Sequence, residues 1–307
     1  MTGAGTTKNP VIYPPLNMPN TVARSKIEIW SQGIRLDGDL YRPKQLSASS
    51  EVPAVVLCHG VGGDKRTAER YAAAFAEDGM IALCFSQAGW GTSDGRLYTA
   101  RQINVPSSDR PEETIQIREA RELIDPVLWA DGCRSALDYL EGEQNVDRQR
   151  MGLWGTSYGG GISASVAAVD SRVKALAVQV PALAPTSQLH MEKGAERAIQ
   201  IARGEIPYVP QGDSLPGLRG TPLFERMGRF NVADQINDIT VPTLIIDAGD
   251  EELFDISTSG EAAHNKIKSN GVDSFYEVIP NIGHYGIYFD GFSRGCELAR
   301  GWFAKYL

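Results

Sequence analysis

Met151-Gly-Leu-Trp-Gly-Thr-Ser-Tyr-Gly-Gly-Gly161 decides the fold. Its mostly apolar start predicts a short strand. Gly155, Ser157 and Gly159 form a G-x-S-x-G turn, and the residues from Tyr158 onward begin a helix. A serine forced onto such a turn carries strained dihedrals, and flanking glycines let neighbouring backbone pass without a Cβ clash. Its hydroxyl is then presented at a helix N-terminus, where backbone N–H groups and the helix dipole favour negative charge. The pattern predicts a nucleophilic role for Ser157.

Outward from this stretch the chain alternates. Residues 22–29 and 34–41 predict two strands around the turn Ser31-Gln-Gly33. Residues 53–58 predict a buried strand. Residues 64–78 predict a helix capped by Asp64, with Gly79 just beyond its end, and residues 80–85 another strand. A glycine-rich polar connection runs from Ser86 to about Arg110. Helices are expected over 111–123 and 126–140, a strand over 151–154, a helix over 158–169 and a strand over 173–180. The alternation stops over 181–230, which is polar and punctuated by proline. It resumes with a strand over 243–247, a helix over 257–269, a strand over 274–279 and a terminal helix near 292–307. Apolar strands alternating with helices imply an α/β fold with a mostly parallel, doubly wound sheet. The expected organisation is an N-terminal arm (1–20), a core (21–180 and 231–307) and a small helical cap insertion (181–230).

The 307 residues are 42% hydrophobic, enough for a large core, and carry a net charge of -8 with no basic block. Nucleic acid and anionic membranes are therefore not expected partners. Cys58, Cys84, Cys133 and Cys296 are scattered, as small buried residues in a reducing compartment would be. The first 20 residues lack an apolar signal core, and no stretch approaches a membrane span in length; a cytoplasmic protein is expected.

A serine hydroxyl needs a base to take its proton. Of the four histidines, His284 stands in Asn281-Ile-Gly-His284, after a predicted strand and before the last helix. Loops at strand C-termini are where catalytic groups gather in α/β sheets, so His284 is the expected base. His264 is expected on a solvated helix, and His190 at the surface of the insertion. The base in turn needs a carboxylate to hold its tautomer. Asp250, Glu251 and Glu252 are all available after the strand over 243–247, and spacing does not choose among them. An oxyanion hole needs two aimed backbone donors. One is expected from Tyr158 and the other from the loop Cys58-His-Gly-Val-Gly-Gly-Asp64, at Val61. That loop fits neither common phosphate-binding glycine pattern. No histidine pair has metal-ligand spacing, so neither metal nor cofactor is expected. Trp90, Phe254 and Tyr285 flank the motif loops and are candidates to line a substrate pocket, with core packing the alternative for Trp90 and Phe254.

Taken together, the order Ser157–acid–His284, the His59-Gly60 loop and the elbow from Gly155 to Gly159 resemble the α/β-hydrolase fold superfamily over nearly the whole chain. The stretches from Glu28 to Tyr41 and Gly89 to Gly95 resemble its dienelactone-hydrolase-like and acyl-peptidase-like branch. The resemblance implies Ser157 as nucleophile and His284 as base. It puts Glu251 at the acid position, where most members have aspartate, which leaves Asp250 as a rival. It places 181–230 where caps usually occur. Ser86 and Ala88 replace an aspartate and an arginine usual in relatives, so an ion pair in that turn is expected to be missing. The activity implied is a serine hydrolase acting on a carboxylic ester or lactone of a small to medium, partly apolar or aromatic molecule, through an acyl-enzyme. The alternatives are a C–C bond hydrolase on a ketone-containing metabolite, an acyl-peptidase-like amide hydrolase and a non-catalytic ligand-binding homologue. Whether the chain works alone or as a homodimer stays open.

Overall fold

The computed structural model describes residues 13–99, 116–210, 212, 214, 215 and 217–307. The strands in chain order are β1 (Val22–Ser31), β2 (Ile34–Pro43), β3 (Val52–Cys58), β4 (Ile81–Phe85), β5 (Arg96–Thr99), β6 (Ile117–Ala120), β7 (Leu123–Ile124), β8 (Val146–Thr156), β9 (Val173–Gln179), β10 (Thr221–Pro222), β11 (Thr243–Ala248) and β12 (Ser274–Ile279). The helices are α1 (Glu69–Glu77), α2 (Pro126–Glu141), α3 (Tyr158–Ala167), α4 (Gln188–Ala202), α5 (Phe224–Met227), α6 (Val232–Gln235), α7 (Gly260–Ser269) and α8 (Phe292–Tyr306).

The main sheet runs in the order β1-β2-β4-β3-β8-β9-β11-β12. β1 and β2 form an antiparallel hairpin, β2 pairs antiparallel with β4, and every other pairing is parallel. Parallel strands must be covered on both faces, and their sequences show it: Ala54 to Cys58 and Ile81 to Phe85 are fully buried without alternation. One face packs against α2, α3 and α7 through residues such as Leu137, Ile162 and Ile267. The other packs against α1 and α8 through Phe75 and Phe303, whose rings meet edge-on at 5.2 Å. Local signals set the helix starts. Asp125 caps α2 by accepting from the Val127 and Leu128 N–H groups at 3.1 and 3.2 Å, with Pro126 at the first helical position.

Two local expectations are corrected. Residues 116–123 are not helical. Ile117 to Ala120 pair antiparallel with β5 (Thr99 opposite Ile117, Arg96 opposite Ala120), and Leu123–Ile124 pair with β10. Ile117, Ala120 and Ile124 do stand at helical spacing, but pairing with β5 and β10 outweighs that weak preference, and the Ile117 side chain is exposed on its strand. The rest of that expected helix, and much of the connection before it, lies outside the described residues. Asp64 does accept the Arg66 N–H as a cap, but it opens a 3₁₀ turn over Lys65–Thr67, and α1 begins after it.

Candidate active site

The elbow between β8 and α3 is built by steric exclusion. Ser157 has φ 54° and ψ −127°, a region that costs a non-glycine residue strain. A Cβ at Gly155 would sit 2.5 Å from the Gly159 carbonyl oxygen, and one at Gly159 would fall on the His59 carbonyl. Only glycines let α3 start this close to the end of β3. The Ser157 N–H donates to Gln179 O at 3.0 Å. Below it, Gln179 Nε2 donates to Thr156 Oγ1 at 3.2 Å, which also meets the Tyr288 hydroxyl at 2.7 Å, while the Tyr71 hydroxyl donates to Gln179 Oε1 at 2.7 Å. This buried network braces the strained residue.

His284 opens the 3₁₀ turn His284–Tyr288 beyond β12 and is 1% exposed. Its Nε2 lies 3.0 Å from Ser157 Oγ, and its Nδ1 lies 2.9 and 2.8 Å from the two carboxylate oxygens of Glu251. Glu251 Oε1 also accepts the Leu253 N–H at 2.9 Å, which fixes the carboxylate's orientation. Glu252 holds the same histidine by its backbone, accepting the His284 N–H at 2.7 Å. A Cβ at Gly283 would sit 2.7 Å from Glu252 Oε2, so glycine there makes room for the grip. The Glu251 side chain is only 2% exposed, whereas Asp250 is solvent-exposed and its N–H donates to Ile282 O. Burial thus sets Glu251 apart from Asp250 and Glu252, which are both exposed.

The loop after β3 presses on Ser157. A Cβ at Gly60 would meet Ser157 Cβ at 2.8 Å and Ser157 Oγ at 3.3 Å. His59, fully buried, sets the direction of the next peptide. The Gln87 N–H donates to His59 Nε2 at 3.0 Å, so the ring proton resides on Nδ1 and donates to Gly60 O at 2.7 Å. Burial pushes the His59 pKa down to about 4, which keeps the ring neutral around pH 7. In a trans peptide C=O and N–H point in opposite directions, so tying back Gly60 O turns the Val61 N–H the other way.

Asp247, at the end of β11, accepts from the Tyr276 hydroxyl at 3.0 Å and packs against Gly260 at the start of α7. Burial pushes its pKa up to about 7, and the negative charges of Glu251 and Glu261 add to the rise. An unfolded aspartate releases its proton near pH 4. Between about pH 4 and 7 the folded chain therefore holds a proton that the unfolded chain has lost, and stability falls as pH rises through this window. Asp247→Asn should remove that slope and raise Tm at pH 8 but not at pH 4.5. An unchanged dependence of Tm on pH in the variant would show that Asp247 does not titrate there.

Phe254 and Tyr285 meet the His284 ring edge-on at 5.4 and 5.3 Å. Trp90 does not join them. It is 1% exposed, its Nε1 donates to Leu123 O at 3.1 Å, and its ring packs edge-on against Trp129 at 5.8 Å. The chain at Gly220 passes directly over it, so Trp90 supports the site from behind; Trp129 in turn touches the Tyr158 ring at 5.3 Å. His264 is half-buried, bonded to Ser274 Oγ at 2.8 Å and stacked on Tyr276, where a solvated side chain was expected. Sequence reasoning had no role for the side chains of His59 or Gln87. The dipeptide His59-Gly60 beside a strand end was the available signal. Among the described residues no cluster of His, Cys, Asp and Glu could hold a metal ion. No helix among them is long and apolar enough to cross a membrane.

Comparison with known proteins is consistent with this architecture. The chain is 24% identical to an uncharacterized 31.7 kDa protein of the traX-finO intergenic region of Escherichia coli, over 83% of this chain and 91% of that one. It is 27% identical to the polyketide transferase grgF of a Penicillium species over 68% of this chain and 67% of that one. The GrgF crystal structure matches with a TM-score of 0.67 at 19% identity, covering 92% and 99% of the two chains. Dienelactone hydrolase from Anabaena variabilis matches with a TM-score of 0.57 at 15% identity, over 94% and 100%. The pattern of the X-Pro dipeptidyl-peptidase (S15) family matches residues 32–254. The chain is an α/β-fold hydrolase and belongs to the X-Pro dipeptidyl-peptidase (S15) family.

Proposed function

We propose that this chain hydrolyses a carboxylic ester or lactone of a small to medium, partly apolar molecule through an acyl-enzyme on Ser157. The observation that carries this reading is the unbroken hydrogen-bond path from Ser157 Oγ through His284 to Glu251. In the proposed mechanism, His284 Nε2 takes the Ser157 proton as Oγ attacks the substrate carbonyl carbon. The Val61 and Tyr158 N–H groups stabilise the resulting oxyanion. Glu251 holds the Nδ1 proton in place and stabilises the imidazolium. His284 then protonates the departing alcohol, and a water activated by the same histidine releases the acid. Esters and lactones are favoured because an alkoxide leaves more readily than an amide nitrogen that has not first been protonated.

The orienting role given to His59 has its own test. His59→Leu removes the shorter of the two hydrogen bonds on Gly60 O, leaving only the Gly63 N–H at 3.2 Å, and loosens the Val61 peptide. It should lower kcat by about tenfold or more, with the 10²–10³ of a fully lost oxyanion donor as the upper bound, and change KM little. His59→Asn, which keeps a donor near the Nδ1 position, should retain more activity. Equal and mild effects for both would remove the role.

A second reading, cleavage of an amide after proline, is favoured by the family match. Turnover of p-nitrophenyl butyrate, γ-butyrolactone and an X-Pro-p-nitroanilide, measured side by side, separates the two. Ester or lactone turnover well above amide turnover is expected. Turnover confined to the anilide would put the second reading first, and folded protein inactive on all three would overturn both.

A further inference from the structure

A small cavity of about 100 Å³ opens beside the elbow, between α3 and the 181–230 segment with the chain that follows it. Its walls include Tyr158, Gly161, Ile162, Ala182, Met227 and Phe230, a mainly apolar set. Three of these residues adjoin Ser157. Tyr158 follows it in the chain, and the Gly161 and Ala182 N–H groups both donate to Ser157 O, at 3.3 and 3.0 Å. The near end of the cavity is rigid. A Cβ at Gly161 would fall on the Ala182 carbonyl, so two backbones are in direct contact there. The strand exit leading to Ala182 is strained as well: Val180, a β-branched residue, has φ 39°. The Tyr158 ring is held in turn by its edge-on contact with Trp129.

We infer that this cavity receives the acyl part of the substrate and restricts it to a short chain. This inference rests on the ester reading above. A leaving group must lie within hydrogen-bond reach of His284 Nε2 to be protonated there. None of the cavity's walls comes from the His284 turn or from the Glu251 loop. A group that occupies a cavity next to Ser157 and apart from His284 is therefore the one that stays on the serine. Its size follows from the volume. One water takes about 30 Å³ of liquid, and a methylene is similar in size, so the cavity suits an acyl chain of about three to five carbons. Each carbon that enters should raise kcat/KM about fourfold, the value of burying one methylene, until the cavity is full. Longer chains then meet Met227 and Phe230.

The experiment is kcat/KM on p-nitrophenyl esters from acetate to decanoate, for wild type, Phe230→Ala and Ala182→Val. Wild type should peak at propionate to valerate and fall at least tenfold by octanoate. Phe230→Ala opens the far wall and should move the peak at least two carbons longer. Ala182→Val fills the near end and should move it towards acetate. Butyrate esters of alcohols of increasing size, run on the same proteins, should keep their rank order in Phe230→Ala. Ser157-dependent hydrolysis with the same acyl optimum in all three proteins would overturn the inference and leave the ester reading standing. A change in alcohol preference without a change in acyl optimum would overturn it too, by assigning the cavity to the leaving group. Absence of Ser157-dependent hydrolysis on every ester would instead remove the ester reading, and the inference with it.

Discussion

Ser157→Ala should lower kcat for a p-nitrophenyl ester by on the order of 10⁵–10⁶ and leave the fold unchanged. The size follows from the position of the group. Oγ is the atom that would bond to the substrate carbon, and it lies 3.0 Å from His284 Nε2. No second hydroxyl can replace it, because the elbow presents only one residue at the start of α3. Thr156, its neighbour, faces the other way into the buried network with Tyr288 and Gln179. Folding should survive, because the Ser157 backbone bonds to Gln179 and Ala182 do not use the hydroxyl. Thermal unfolding and kcat measured on the same preparations check both halves. Activity within tenfold of wild type would remove the mechanism.

The second large effect belongs to Glu251→Gln, with a loss on the order of 10⁴ in kcat. The glutamine amide can turn its N–H towards His284 Nδ1. That ring nitrogen must then accept, which moves the proton to Nε2, and Nε2 can no longer take the serine proton. The neighbouring carboxylates act as internal controls. Glu252→Gln keeps an acceptor for the His284 N–H and should cost about tenfold or less, because the backbone position is disturbed but the tautomer is not. Asp250→Asn, at an exposed position, should be close to wild type. A mild effect for Glu251→Gln together with a large one for Asp250→Asn would transfer the acid role.

Much of this architecture was legible in the chain because short-range sterics and long-range polarity agree. The elbow glycines announce a turn that no side chain fits. The fully apolar runs at 54–58 and 81–85 announce strands covered on both faces. The order of the serine, the carboxylate cluster and Asn281-Ile-Gly-His284 carries the family resemblance, which implies that these strand ends meet. What the sequence left open is tertiary. Three adjacent carboxylates have nearly the same chemistry, and only the path of the chain at Gly249 to Leu253 buries the Glu251 side chain while leaving Asp250 in water. Trp90 lies between glycines in a loop, where its sequence fitted a pocket wall and core packing equally well. The strand at Thr221–Pro222, far along the chain, pairs with Leu123–Ile124 and brings Gly220 over the ring. The charged stretch ending at Leu123 carries good helix formers, but pairing with β5 outweighs that weak propensity. His59 looked like part of a loop motif. Its bonds to Gly60 and to Gln87, 28 residues away, become visible only once β3 and β4 lie side by side.

Trapping the acyl-enzyme decides whether Ser157 carries the acyl group. Wild type is mixed with p-nitrophenyl butyrate, quenched in acid within milliseconds, and analysed by intact mass and peptide mapping. One butyryl group per chain is expected, on the peptide that carries Ser157, forming with the burst of p-nitrophenol and absent from Ser157→Ala. Steady turnover with no acyl group on Ser157, or with the group on another residue, would contradict the proposed mechanism.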